Sequence, residues 1–585
     1  MSKSPDESSL EISPRFTDRL VRALARHPYL CTLAVCLGID PFYLGSIYNV
    51  PPNAMYIEVF MVFAAAFWII HRISRKKALG KGITVLSAVV VSLLICAATL
   101  MYSRSEYKGL WMFVGGVLIM LLLYRFAKTD KYNEQLMSLL IMGIGFMLKF
   151  YYVFYSSCYT RQNDVHEFGG PNGHAAYMEY LLFNHKLPDF DVRTVWQFCH
   201  PPLHHIISAL WIGVNEFVLG VGHNPARESL QTLSLFYSMT IMITSYRIFR
   251  HFRLKGLALY VPLGIVCFHP CFILFSGAIN NDVLSVAFMM GAFLCTLRWY
   301  KRPELKEILK IALCVGLGMM TKLSAALVAP PIALVFLIVF IKRFKSDGKR
   351  LFGQFALFGL VCVPLGLWFE IKNYIKFRVP ITYVQEMSRD SIQYIGDQRF
   401  LDRITDFSPK QFSSVFEQWL GPDADYNEHN PLIALLKNSL YSESIREKTF
   451  HYQPFYLSMA RAFFWLAALL AAVCLVMMIF NIVTKSGLDP VQKLFWASFY
   501  VMLVGNFYKM ALDYPFTCTL NFRYITPTVI VGAFFAGISV RRMQDSGKEK
   551  ALMLSKLMAF AVFIFAVFST LLYVQICLPE PQPAA

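Results

Sequence analysis

The sequence predicts an all-α polytopic membrane protein, and three observations carry that prediction. Of 585 residues, 56% are hydrophobic and 16% charged, with a mean hydropathy of +0.48, too apolar a balance for a soluble domain. Apolar runs of about 15 to 25 residues recur along the chain, close to the roughly 20 that a helix needs to cross a hydrocarbon core. Lys and Arg collect in short clusters between those runs, so the net charge of +18 reads as a topology signal and nucleic acid is excluded as a partner. Helices are implied over strands because each run must satisfy its own backbone hydrogen bonds inside lipid.

Taken in order, residues 1–29 form a polar N-terminal segment with Arg15, Arg19, Arg22 and Arg26 and no small-residue cleavage site, so it reads as cytoplasmic rather than as a signal peptide. Spans at Leu30 to Tyr48, Met55 to Ile70, Ile83 to Met101 and Leu110 to Tyr124 make an N-terminal bundle over 30–135, and Leu136 to Tyr155 opens a core over 136–369. The clusters Arg72, Arg75, Lys76, Lys77 and Arg125, Lys128, Lys131 belong inside, which places a first loop, 156–202, outside. Leu203 to Val221 is apolar enough to cross, yet crossing would export Arg247, Arg250, Arg253 and Lys255. It is therefore expected to lie along the interface, as its polar interruptions His204, His205, Asn215 and Glu216 also suggest.

The same phasing makes Ile308 to Met320 and Leu323 to Ile341 a short hairpin with Thr321 and Lys322 at its tip, and puts Lys342 to Arg350 inside. A segment over 370–458, with a helical patch at Pro409 to Leu420, is expected outside as a lid or acceptor-recognition unit, followed by C-terminal transmembrane helices over 459–585. About fifteen crossings result. The 13 cysteines show no CxxC or zinc spacing, although Cys158 and Cys199 could pair if both face an oxidising compartment.

Chemistry is expected in the first loop, where Asp164, His166, Glu167, Glu179, Asp189, Asp191 and His200 lie beside a membrane that penalises such residues. Each has a structural alternative: a turn or helix cap for Asp164, a buried structural ring for His200, and an N-terminal cap for Asn281-Asp282. Lys322 and Arg523 end apolar runs, where snorkelling alone would account for them. Asp164, His166 and His200 also offer the carboxylate and imidazole donors that suit zinc or manganese, so a divalent metal is a candidate cofactor, although the reading requires none.

His200-Pro201-Pro202-Leu203, Asn281-Asp282, the Gly316-Leu317-Gly318 run ending in Thr321-Lys322, and Arg523-Tyr524 followed by Pro527 resemble, in this order, the signature of membrane glycosyltransferases of the GT-C fold. The likeness is to the branch of protein O-mannosyltransferases and aminoarabinose transferases, glycosyltransferase family 39, and covers roughly Leu136 to Val540. It implies a GT-C-like helical bundle with extracytoplasmic loops and juxtamembrane helices. The activity it implies is inverting transfer of a sugar from a polyprenyl-phosphate donor to a protein, lipid or polysaccharide acceptor on the outer face, in a bacterial plasma membrane with a cytoplasmic N-terminus.

The resemblance makes an acid of the first loop the base that takes the acceptor's proton. This sequence has Gly173-His174 where the family has its acids, so Asp164 is the first choice and Glu167 and Glu179 are alternatives. His200, Asp282, Lys322, Arg523 and Tyr524 become the donor-binding set. Two rival functions keep the same architecture: a transporter or flippase of lipid-linked glycan, and a catalytically inactive assembly subunit.

Overall fold

A computed structural model describes residues 26–48, 108–127, 133–412, 428–443, 445, 447–450 and 454–578. The expected spans Met55 to Ile70 and Ile83 to Met101, and the basic residues Arg15, Arg19, Arg22, Arg72 to Lys77, Lys128 and Lys131, lie outside the described residues. Those residues form no strand, only two isolated bridges, and the chain is an all-α membrane bundle. Its principal helices are α1 (Pro28–Tyr48), α2 (Lys108–Ala127), α3 (Asn133–Tyr155), α4 (Gly173–Asn184), α5 (Leu203–Gly213), α6 (Leu230–His251), α7 (Leu257–Phe268) and α8 (Pro270–Gly277). They continue with α9 (Asp282–Lys301), α10 (Leu305–Thr321), α11 (Ala329–Phe377), α12 (Pro431–Tyr441), α13 (Pro454–Val483), α14 (Pro490–Asp513), α15 (Pro527–Asp545) and α16 (Glu549–Ile576).

Five helical runs among the described residues are long and apolar enough to cross a membrane, or seven if each of two bent pairs is one span. Other helices of the bundle fall short of that apolarity for a physical reason. Central helices are shielded from lipid by other helices and can carry polar residues. α6, with six Ser and Thr in 22 residues, is buried along most of its length. The peripheral helices α13 and α16 instead expose Phe455, Leu469, Val476, Phe560 and Phe563, as lipid contact requires. At the centre Trp496 stacks on Phe534 at 4.1 Å and Phe293 on Phe495 at 4.2 Å, joining α9, α14 and α15.

The 49-residue run α11 folds back on itself. Phe336 and Phe355 stack at 5.1 Å, whereas nineteen residues of straight helix would hold them about 28 Å apart. Trp299 touches both rings and donates to Gln354 at 2.8 Å. The reversal falls at the basic cluster Lys342 to Arg350, where the sequence places a turn. Helix persists to Phe377, so buried Glu370 belongs to the second leg rather than to the loop expected to begin there. Of the helical patch expected at Pro409 to Leu420, a short turn at Pro409–Phe412 forms, and 413–427 lie outside the described residues.

Both ends of the segment Leu203 to Val221 return to one end of the bundle, so it does not cross. At its start the His204 ring donates to the Ile279 carbonyl at 2.8 Å, in the loop between α8 and α9. Just beyond its end Glu228 accepts from the Cys158 N–H at 3.2 Å, immediately after α3. Trp211 closes the arch on Ser229 at 2.8 Å. α5 buries His204, His205 and Ser208 against protein and turns Leu210 outward, followed by exposed Val214, Phe217 and Val218. An outward apolar face on a helix that stays at one end suits a membrane interface.

The break between α7 and α8, bent by 46°, sets the height of the loop that leads into α9. At the break the Cys271 N–H turns to the His269 ring at 3.3 Å instead of to the Cys267 carbonyl. Fully buried Lys149 fills the vacancy by donating to that carbonyl at 3.1 Å, as backbone buried at membrane depth requires.

The arch predicts opposite accessibility across α6. In sealed vesicles, cysteines at exposed Asn184 and exposed Lys255 should react with an impermeant maleimide from opposite sides of the membrane. Labelling of both from one side would overturn the non-crossing arch.

Candidate active site at one end of the bundle

The site is built from four stretches far apart in sequence. The loop after α3 is held in unusual backbone conformations: Arg161, Asp164 and His166 have φ of 56°, 61° and 58°. Such left-handed residues cost energy and persist only where the surroundings enforce them. Here the enforcement comes from the free N–H groups at the start of α4. His174 donates to the Asp164 carbonyl at 3.1 Å, Ala175 to Val165 at 3.0 Å, and Gly173 to Trp196 at 3.1 Å. Gly173 itself has φ 89°, and a Cβ there would sit 2.4 Å from the Val165 oxygen, so no other residue fits. Gln162 ties the loop to the α8–α9 connection, donating to Gly277 at 2.9 Å and accepting from the Ile279 N–H at 3.0 Å.

Asp282 is the first residue of α9, and Lys322 is the extended residue that ends α10. The Asn281 side chain caps nothing. It donates to the Thr321 carbonyl at 3.3 Å, which brings the two termini together. Gly316 and Gly318 permit the underlying approach: a Cβ at Gly316 would meet Leu365 at 2.9 Å, and one at Gly318 would meet Ala325 at 3.0 Å. Arg523 sits in the turn Phe522–Ile525 and donates its own N–H to Asn521 at 3.0 Å. Asn438 of α12 braces this turn, accepting from Phe522 at 2.8 Å, and Asn521 donates to Glu443 at 2.5 Å.

These stretches join acids and bases in alternation. Arg523 Nη2 donates to Asp164 Oδ2 at 2.5 Å, Arg523 Nη1 lies 3.7 Å from Asp282 Oδ2, and Lys322 Nζ donates to Asp282 Oδ1 at 2.5 Å. Tyr524 completes the group. Its hydroxyl is 3.0 Å from Arg523 Nη2, and its ring faces Arg523 at 5.0 Å and Lys322 at 5.1 Å. The Arg523 and Asp282 side chains are each 6% exposed and that of Lys322 13%, whereas Asp164 is 34% exposed, so Asp164 is the member open to visitors. Arg523 Nε is buried with no hydrogen-bond partner among the described residues, a vacant donor beside an otherwise satisfied guanidinium.

Electrostatics follow from this packing. Burial pushes the Asp164 carboxyl up, but the charge and hydrogen bond of Arg523 outweigh it and hold the group below the usual carboxylate range. Burial and then the Lys322 charge push His200 down to about 3, so its ring is neutral at physiological pH. His200 stacks on His174 at 5.4 Å, and His174 Nδ1 shares a proton with His205 Nε2 at 2.8 Å. Burial and the neighbouring imidazoles hold His174 well below its ordinary value.

The structure therefore brings together Asp164, His200, Asp282, Lys322, Arg523 and Tyr524, and separates the rest of the expected set. Glu179 is spent on a buried ion pair, accepting from Arg227 Nη2 at 2.5 Å and Nε at 2.8 Å. Glu167 and His166 are exposed, and Asp164, His166 and His200 assemble no three-ligand metal group, nor does any other set of described residues. Cys158 and Cys199 are free thiols instead of a disulfide. Cys158 is buried with its N–H on Glu228, whereas the Cys199 Sγ lies 4.0 Å from Gln385.

Sequence reasoning missed the roles of His174, His205, Asn438 and Glu443. The i, i+4, i+5 spacing of His200, His204 and His205 is a signal for the histidine cluster. None exists for a brace from α12.

An all-helical bundle with membrane-length apolar helices and a charged, partly open cluster at one end defines a polytopic membrane protein. Residues 201–368 match the family of dolichyl-phosphate-mannose-protein mannosyltransferases, which supports a GT-C-like membrane glycosyltransferase. The match takes in Asp282 and Lys322 and leaves Asp164, His200 and Arg523 outside. No curated protein matches the sequence.

The cradle at Gly173 makes a graded prediction. Gly173→Ala should lower thermal stability in detergent by about 1–3 kcal/mol, from a clash added to a disfavoured φ. Gly169→Ala, at φ 82° with open space around it, should cost about 1 kcal/mol from conformation alone. Equal midpoints in thermal unfolding would show that the cradle does not hold the loop.

Proposed function

We propose that this chain is an inverting glycosyltransferase that moves a sugar from a polyprenyl-phosphate donor to an acceptor on the extracytoplasmic face of a bacterial plasma membrane. The observation that carries the proposal is the convergence of Asp164, Arg523, Asp282 and Lys322 at the end of the bundle that also holds the interfacial arch α5. A lipid-linked phosphate would reach that level with its chain still in the bilayer.

In this reading the acceptor hydroxyl attacks the anomeric carbon from the side opposite the phosphate. Its proton passes to an Asp164 oxygen as the new C–O bond forms. The electron pair of the breaking bond goes to the phosphate oxygen, where Arg523 and Lys322 meet the growing charge. Fixed cations there stabilise the transition state more than the ground state. Asp282 holds both cations in place, and neutral His200 is a hydrogen-bonding partner for donor or acceptor without adding charge. The acceptor is a protein, lipid or polysaccharide hydroxyl, and the reading routes no step through a metal.

A transporter would place ionisable groups near the bilayer midplane. Among the described residues, the buried Lys149 side chain of α3 is occupied by the Cys267 carbonyl.

Turnover of a synthetic polyprenyl-phosphate sugar tests the assignment. Arg523→Lys keeps the charge but loses the planar fork, and should slow transfer by about a hundredfold, on the order of 3 kcal/mol of barrier. Asp164→Asn should abolish transfer, whereas Glu179→Gln should act through stability. Wild-type rates in Arg523→Lys and Lys322→Ala together would remove the phosphate role, and an active Asp164→Asn would remove the base.

A further inference from the structure

We propose that Asp164 is the resident occupant of the donor's phosphate position on Arg523, and that the arriving phosphate displaces it, so the base is released only when a donor is bound. The inference rests on the phosphate-binding reading above and goes further by making the two roles mutually exclusive at one guanidinium.

Four observations lead there. First, Asp164 Oδ2 accepts from Arg523 at 2.5 Å, and the guanidinium charge holds the proton affinity of the whole carboxylate down, so the paired group is a poorer base than a freed one. Second, the cavity on the far side of Arg523 from Asp164, lined by Arg161, Asn280 and Asn438 together with Leu274, Phe275 and Phe522, is about 30 Å³, room for water but not for a phosphate-linked sugar. A phosphate does not reach the guanidinium from there, and the exposed approach is the one that Asp164 occupies. Third, the two carboxylates differ in how firmly they are held. Asp282 is 6% exposed and shared between Lys322 and Arg523 at the first turn of α9, whereas Asp164 is 34% exposed, has one charged partner, and lies in a loop with three left-handed residues. Asp164 is the one that can leave. Fourth, the unpartnered Arg523 Nε is a second donor, so an incoming phosphate gains a fork that Asp164 does not use.

The exchange balances. A phosphodiester carrying one negative charge replaces one carboxylate on Arg523, and Asp282 stays between the two cations. The freed Asp164 loses the charge that holds its proton affinity down and then takes the acceptor's proton as the sugar–phosphate bond breaks. Without a donor the base is masked, which protects the site from stray protonation and spares the cluster a buried unpaired charge.

The test measures binding of a short-chain polyprenyl monophosphate, without sugar, to the full-length protein in nanodiscs of zwitterionic lipid. If Asp164 competes with phosphate for Arg523, removing the carboxylate should tighten binding by roughly tenfold while transfer is lost. Asp164→Asn and Asp164→Gly both suit a φ of 61°, so the pair guards against a folding artefact in either. Arg523→Ala should lose binding, and Asp164→Asn should not tighten binding in that background. Unchanged or weaker binding in both Asp164 variants, with binding still lost in Arg523→Ala, would overturn the exchange and leave the phosphate site standing. Wild-type binding in Arg523→Ala would overturn the phosphate site itself.

Discussion

The structure depends on a chain of opposite charges, Asp164 to Arg523 to Asp282 to Lys322, buried at one end of a membrane bundle. Two acids and two bases packed this closely and largely out of water are tolerable only together, because leaving a buried one unpaired costs several kcal/mol. Much of the fold around them is explained as what brings four distant stretches to one point. The Gly173 cradle sets Asp164, the α7–α8 break sets Asp282, the Gly316 and Gly318 contacts set Lys322, and α12 with the Asn521 turn sets Arg523.

The same constraint explains why the site is neither solvent-filled nor sealed. Three of the four charges are nearly inaccessible, which fixes their geometry, and the fourth stays about a third exposed on a strained loop. On the proposed reading, a site that receives an anionic headgroup has to neutralise its own cations until that headgroup arrives. An internal carboxylate does so without importing a counter-ion into a low-dielectric region.

How much of this was legible in the sequence follows from which interactions are local. Helix and membrane were plain from hydropathy, and the basic clusters placed the reversal at Lys342 to Arg350 even though helical conformation runs through it. The non-crossing of Leu203 to Val221 was also legible, since exporting four basic residues is costly. Hydropathy alone does not mark a central helix such as α6, whose six Ser and Thr residues keep it out of the apolar set. Asp282, Lys322 and Arg523 could be singled out because each belongs to a motif that resembles the GT-C signature, and Lys322 and Arg523 also end apolar runs. Their mutual contact, and the pairing of Glu179 with Arg227 that takes Glu179 out of the cluster, are long-range facts with no local pattern. That Asp164, His166 and His200 form no three-ligand group, and that Cys158 and Cys199 are free thiols, are facts of the same long-range kind, since only packing decides which side chains meet.

The central claim, that the charge network is a lipid-phosphate site, is most directly tested by mass spectrometry of the lipids that copurify with the protein from its native membrane. The account predicts that a polyprenyl phosphate or its glycosylated form copurifies with the wild-type protein and is lost from a stably folded Arg523→Ala variant. Equal amounts with both proteins, or none with either, would contradict it.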